Sequence, residues 1–238
     1  MPFVSTPGRT GLARLARRIE TLGHTVAEVE TSCGAPALLV DRGAGRAAVL
    51  PAELASAPAG LLEQTVAVVR GLAPSRPSTL LAWGPIPERA TRQRLRLAGF
   101  ELALYEPLDA ATLHFQVNRA LAPRQALPRR AIRAPLAGEV ALHFRLQRRA
   151  ARVYTLSSQG AFILTPRPLR PGRRVTVEVP AGLLTPRARG RVVMVNPPDA
   201  RTQPELPAGM AVAFQDLDGP SAAVIDRLVG ERLAELSI

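Results

Sequence analysis

Close to residue 121 the rhythm of apolar residues changes, and no other feature constrains the fold as tightly. Before that point, segments with apolar residues every three or four positions alternate with short apolar runs. After it come only short runs separated by turn residues, until one amphipathic stretch closes the chain. Leu121-Ala-Pro-Arg-Gln-Ala-Leu-Pro128 lies at the change. Its two prolines and lack of periodicity read as a linker. A chain of 238 residues divided there is expected to form two domains, 1–120 and 135–238, joined by 121–134.

The first half reads as strand–helix alternation. Residues 9–22 place Leu12, Leu15, Ile19 and Leu22 on one helical face, with Gly23 as a stop signal. Thr25–Val29 reads as a strand and Ala37–Val40 as a short helix. Arg46–Leu50 is a strand stopped by Pro51, and Leu61–Leu72 a periodic helix closed by Gly71 and Pro74. Ser78–Trp83 is a strand, Glu88–Ala98 an arginine-rich helix, Phe100–Tyr105 a strand and Leu108–Leu121 a last helix. Alternation with short connections predicts a doubly wound α/β layer on a parallel sheet.

The order of these elements, with Tyr105-Glu106-Pro107-Leu108-Asp109 after the last strand, resembles a response-regulator receiver domain over residues 3–120. The positions that carry receiver chemistry differ. Glu106 stands where the family has lysine. Leu50-Pro51 stands where the phospho-acceptor Asp would be, Ala82-Trp83 where Ser or Thr would be, and no acid precedes Glu20. Without a carboxylate nucleophile or metal-binding acids, aspartyl phosphorylation has no chemistry available. The resemblance implies a pseudo-receiver used to contact a protein partner, with the Glu88–Arg96 stretch and the last helix as docking faces.

Charge is unevenly spread. All 31 basic residues are arginine, against 19 acids. The absence of lysine excludes Schiff-base and P-loop lysine chemistry. Residues 121–174 hold 12 arginines and one acid, Glu139, and so carry +11 of the net +12. Such a surplus recruits anions. The three histidines (His24, His114, His143) and the single Cys33 lie far apart, with no metal-ligand spacing and no internal disulfide. No apolar run is long enough for a membrane helix, and MPFVSTPGRT has no apolar leader core, so a cytoplasmic protein is expected.

The second half reads as an antiparallel barrel. Candidate strands are Ala137–Phe144, Ala151–Leu156, Ala161–Leu164, Val175–Val179, Gly190–Val195 and Met210–Phe214, with Pro171-Gly172 as a turn. A terminal helix puts Ile225, Leu228, Val229, Leu233 and Leu236 on one face.

Two constellations fall within the basic segment. Arg129-Arg130-Ala131-Ile132-Arg133 is an RxxxR between Pro128 and Pro135. In Thr155-Leu156-Ser157-Ser158-Gln159-Gly160, an extended backbone turns Thr155 and Ser157 to one face and Leu156 to the core. Gly160 supplies a turn with φ > 0. With Gly209-Met-Ala-Val-Ala-Phe214 late in the chain, these motifs resemble the PilZ family over residues 126–236.

That resemblance implies a β-barrel receptor for the bacterial second messenger cyclic di-GMP. It assigns Arg129 and Arg133 to guanine and phosphate recognition and Arg130 to a secondary contact. Ser157 is a hydrogen-bonding contributor, and Gly160 is the turn that shapes the site. Guanidinium groups suit this ligand, since they bond guanine O6 and N7, stack on purines and fork onto phosphates. The ligand is cyclic di-GMP; no cofactor, metal or catalytic residue is implied, and the chain is not read as an enzyme. Thr155 departs from the family's Asp or Asn. A hydroxyl accepts with shorter reach and no charge, and an unpaired partner costs about 1–3 kcal/mol.

Two readings stay open. One is an effector coupling second-messenger level to a protein partner, in motility or surface-polysaccharide control. The other is a degenerate PilZ adaptor that binds protein without nucleotide. Nucleic acid is disfavoured as a partner, because aromatics are only 4% and few lie in the basic segment.

Overall fold

The computed structural model describes residues 6–58, 60–72, 78–122, 132–136, 138–182 and 184–238. The chain divides into two compact units. One is Met1–Leu127 with Leu236–Ile238, the other Pro128–Glu235. None of the helices among the described residues is long and apolar enough to cross a membrane.

The first unit is a five-stranded sheet with helices on both faces. In chain order its elements are α1 (Thr6–Glu20), β1 (Thr25–Glu30), β2 (Pro36–Arg42), β3 (Gly45–Pro51), α2 (Leu61–Gly71), β4 (Thr79–Gly84), α3 (Arg89–Leu97), β5 (Phe100–Tyr105) and α4 (Ala110–Leu121). A 3₁₀ turn, Ala52–Ser56, follows β3. Leu12, Leu15 and Ile19 of α1 and Leu113 and Val117 of α4 pack on one face, against Leu38, Val49, Leu81 and Leu104. Leu62, Val66 and Val69 of α2 and Leu95 of α3 cover the other, against Leu50, Leu80 and Ala82. The start of α4 is set by Asp109, whose carboxylate accepts from the Thr112 amide at 2.9 Å.

The helices on both faces match the expected layering, but the sheet is not wholly parallel. The strand order is β1-β2-β3-β4-β5. Only β3, β4 and β5 run parallel. The segment Ala37–Val40, expected to be a helix, is the centre of β2, antiparallel to both β1 and β3. Four successive apolar residues carry neither period. They are all buried because helices cover both sides of the sheet, which is the condition under which alternation vanishes. The free edge of β5 is taken by Leu236–Ile238. Ser237 bridges Leu102, and the Leu236 carbonyl accepts from the Ala103 amide (3.1 Å) and from the buried Gln116 side chain (2.9 Å).

The second unit is a closed six-stranded antiparallel barrel. Its strands are β6 (Ala134–Pro135), β7 (Glu139–Phe144), β8 (Gln147–Ser157), β9 (Gly160–Leu164), β10 (Arg174–Glu178), β11 (Arg187–Asn196) and β12 (Gly209–Asp216), followed by α5 (Gly219–Glu235). Neighbours run β8-β7-β10-β11-β12-β9, and β9 pairs back onto β8 to close the ring, while the short β6 pairs with β8 beyond the end of β7, on the edge opposite β9. Closure leaves no ring strand with an unpaired edge. The core is made by alternate residues such as Val140, Leu142, Val153, Ile163, Val177 and Val212, joined by Ile225 and Val229 from α5. Leu228 and Leu233 pack partly buried beside them. Leu236, expected on the same helical face, lies beyond the helix end and belongs to the first unit's packing.

Asn196, fully buried at the end of β11, anchors the loop into β12. Its side-chain amide donates to the carbonyls of Gln203 (3.0 Å), Leu206 (2.9 Å) and Pro207 (3.1 Å), and its oxygen accepts from the Gln203 amide at 3.1 Å. Asn196→Ala leaves those carbonyls without their donor. A stability loss of about 1–3 kcal/mol, with no change in the denaturant slope, is expected in urea unfolding.

Candidate functional site

The site grows out of one irregularity in β8. Register with β9 slips between Val153 and Thr155, leaving Tyr154 as an extra residue. Strict alternation would send Val153 and Leu156 to opposite faces. The bulge resets the phase, so both are fully buried in the barrel core. Thr155 and Ser157 therefore fall on the outer face, as the sequence reading expects. The outer position is not an open one, since Thr155 is 6% exposed and Ser157 fully buried. The Ser157 hydroxyl donates to the Gly160 carbonyl at 3.2 Å. Tyr154 meets Phe162, the cross-strand partner of Thr155, edge to face at 5.9 Å.

Gly160 is required for a reason that its local sequence does not carry. It is not among the residues with positive φ. It sits in extended backbone as the first residue of β9, opposite Ser157 on one side and Ala213 on the other. A Cβ there would run into the Val212 carbonyl oxygen. The glycine permits close strand approach, not a left-handed turn.

The strand after the arginine segment docks onto the same motif. Ala134 pairs with Leu156 and Pro135 with Thr155. The Leu136 amide donates to the Tyr154 carbonyl at 3.2 Å. Arg133, which is exposed, directly precedes Ala134, the partner of Leu156, the residue before Ser157. Arg133, Thr155, Ser157 and Gly160 are thus brought together at one edge of the outer face. Arg232 of α5 holds β6 in place by donating to the Pro135 carbonyl at 3.3 Å. Arg129 and Arg130 lie outside the described residues. Beyond Gly160 the outer face continues onto Ala213 and Ala211 of β12. In the row beside Ser157 the residues are small, Gly160 and then Ala213, while Ala211 pairs with the buried Phe162.

Compared with known families, residues 127–231 match the model of the PilZ domain. None of the curated proteins matches the chain. Similar solved structures include the Bacillus subtilis inhibitor of motility MotI/DgrA, 14% identical, covering 48% of this chain and 57% of that one, with a TM-score of 0.36. The PlzA protein of Borreliella burgdorferi, solved in complex with c-di-GMP, is 8% identical over 60% of this chain and 50% of that one, with a TM-score of 0.32. The PilZ domain of YcgR from Escherichia coli, solved with c-di-GMP, is 18% identical over 46% of this chain and 94% of that one, with a TM-score of 0.33. The chain thus spans little more than half of MotI/DgrA and half of PlzA.

A second polar cluster lies on another part of the barrel's outer face. Glu178 of β10 is buried. Its carboxylate faces His143 Nε2 at 2.9 Å, Arg187 at 2.6 Å and Arg148 at 3.9 Å. His143 read as an isolated histidine in the sequence. Its partner is 35 positions away, and only the β7–β10 register brings the two together. The His143 contact, then the charges of Arg187 and Arg148, hold the Glu178 carboxyl below its usual range against the opposing effect of burial. A depressed folded-state pKa contributes stability that is present above the ordinary glutamate value, about 4.3, and is lost as pH falls through the lower folded value. Glu178→Gln is expected to flatten the loss of melting temperature below about pH 4.3, measured by thermal scans from pH 7 to pH 3.

Proposed function

With residues 127–231 forming a PilZ domain, we propose that the chain is a non-enzymatic effector whose barrel binds cyclic di-GMP and passes the signal to a protein partner through the first unit. One observation carries the reading. Arg133 directly precedes Ala134, which pairs with Leu156 next to Ser157 and its cross-strand partner Gly160, and this adjacency supports the reading. A guanidinium in that position can fork onto a phosphate or take guanine O6 and N7 in a bidentate pair, each such pair adding about 1–3 kcal/mol of discrimination. Arg129 and Arg130, just upstream, supply further forks, and Thr155 and Ser157 supply hydroxyls. The ligand bridges the arginine segment and the barrel, and the change this brings is the signal. Such an effector works in the cytoplasm, and motility or surface polysaccharide is the behaviour it controls.

A second reading rests on a different observation. Ser157 is fully buried with its hydroxyl already donating to Gly160, and Thr155 replaces the carboxylate or amide of the family pattern. Under that reading the barrel is an adaptor that binds protein without nucleotide.

Calorimetric titration with cyclic di-GMP, beside GTP and cyclic di-AMP, separates the two. The effector reading expects heat with cyclic di-GMP alone. It also expects Arg133→Ala to weaken binding at least tenfold, and Thr155→Asp to strengthen it by about tenfold to a hundredfold. An absence of heat and of any melting-temperature shift selects the adaptor. Equal affinity in wild type and both variants removes this site from consideration.

A further inference from the structure

The outer face of β11 carries a ladder of arginines, Arg187, Arg189 and Arg191, because alternate residues of a strand share a face. Ala188 and Val192, on the other face, are buried. Two rungs of this ladder stand beside acids. Arg187 contacts Glu178 at 2.6 Å. Arg189 stands across from Asp216 of β12 and lines a groove with it. The third rung differs. Arg191 has Arg174 of β10 directly opposite on one side and Ala213 of β12 on the other. Among the described residues neither Arg174 nor Arg191 forms an ion pair with a carboxylate.

Nearby arginines are engaged elsewhere. Arg145 lies over the Phe144 ring at 5.4 Å and Arg173 at 5.8 Å from its centroid. Like charges directly opposite on neighbouring strands are destabilising. An anion held between the two guanidiniums removes that penalty. The position of the pair says which anion. In one cross-strand row Arg191 is followed by Ala213, Gly160 and Ser157. The row runs from the uncompensated pair, over these small residues, to the site of Arg133. Three strand spacings, about 14 Å, separate the backbones of Arg191 and Ser157. Inward-reaching side chains narrow that gap toward the width of a dinucleotide.

We infer that Arg174 and Arg191 form an anion clamp that takes a phosphodiester of the dinucleotide at the end of the site remote from Arg133. In this form the inference rests on the cyclic di-GMP reading, but the clamp can be tested without it.

Three arms test it. In calorimetry with cyclic di-GMP, Arg191→Ala and Arg174→Ala each weaken binding about tenfold, as loss of one charged hydrogen-bonding partner does. In ligand-free, low-salt thermal scans, R191E raises the melting temperature by about 1–4 °C, because a like-charge pair becomes an opposite-charge pair. In scans with inorganic pyrophosphate on an Arg133→Ala background, the melting temperature rises, and adding Arg191→Ala cancels the rise.

If wild type binds no cyclic di-GMP, the effector reading fails, and the pyrophosphate and ligand-free arms still decide the clamp. Equal cyclic di-GMP affinity in wild type and Arg191→Ala overturns the clamp. So does a pyrophosphate response that survives Arg191→Ala, or a fall in melting temperature for R191E.

Discussion

The extra residue in β8 determines what the barrel shows to its surroundings. With Tyr154 bulged out, Val153 and Leu156 both enter the core, three positions apart. Had the strand run on without a bulge, Leu156 would face outward when Val153 faced inward, and Thr155 would point into the core. The bulge lies on the strand that closes the ring through β9 and receives β6 on its other side. Closure, the orientation of Thr155 and Ser157, and the docking of the chain just after Arg133 therefore share one local cause. Bulges favour such places because they re-aim side chains while the ladder on either side persists.

The first unit contributes a different kind of constraint. Helices pack both faces of its sheet, so the strand ends where a receiver-type domain would carry its chemistry are filled by Leu50, Ala82 and Trp83, all buried. Trp83 also packs tightly on α1, where a Cβ at Gly11 would press into the indole. These positions offer apolar packing in place of a carboxylate. The far end of the chain completes its last strand, with Leu236 and Ser237 pairing against β5.

Much of this was legible in the sequence where one period dominated. Phe100–Tyr105 is a strand with the expected ends, and Leu61–Gly71 is the expected helix with its i, i+3, i+4 apolar face buried. The outward face of Thr155 and Ser157 was also legible, because Leu156 between them had to be buried. Elsewhere the period was absent or the cause was not local. Ala37–Val40 is buried on both faces and carries no alternation. In sequence Gly160 reads as a turn glycine, whereas its constraint comes from the Val212 carbonyl of a strand about fifty residues away. The His143–Glu178 contact and the Arg174–Arg191 pair depend on register across strands. Charge counting showed that arginine was in excess, but only the ladder showed which arginines have acids beside them.

Under the proposed function, the Arg133 end of β6 and the Thr155–Gly160 hairpin form one ligand-binding edge. Chemical-shift mapping by NMR on isotopically labelled full-length protein, at saturating cyclic di-GMP, addresses it most directly. The largest amide shifts are expected on Arg133, Ala134, Ser157 and Gly160, with smaller ones at Arg191 and Ala213. Shifts confined to other surfaces, or a spectrum unchanged by the ligand, would contradict it.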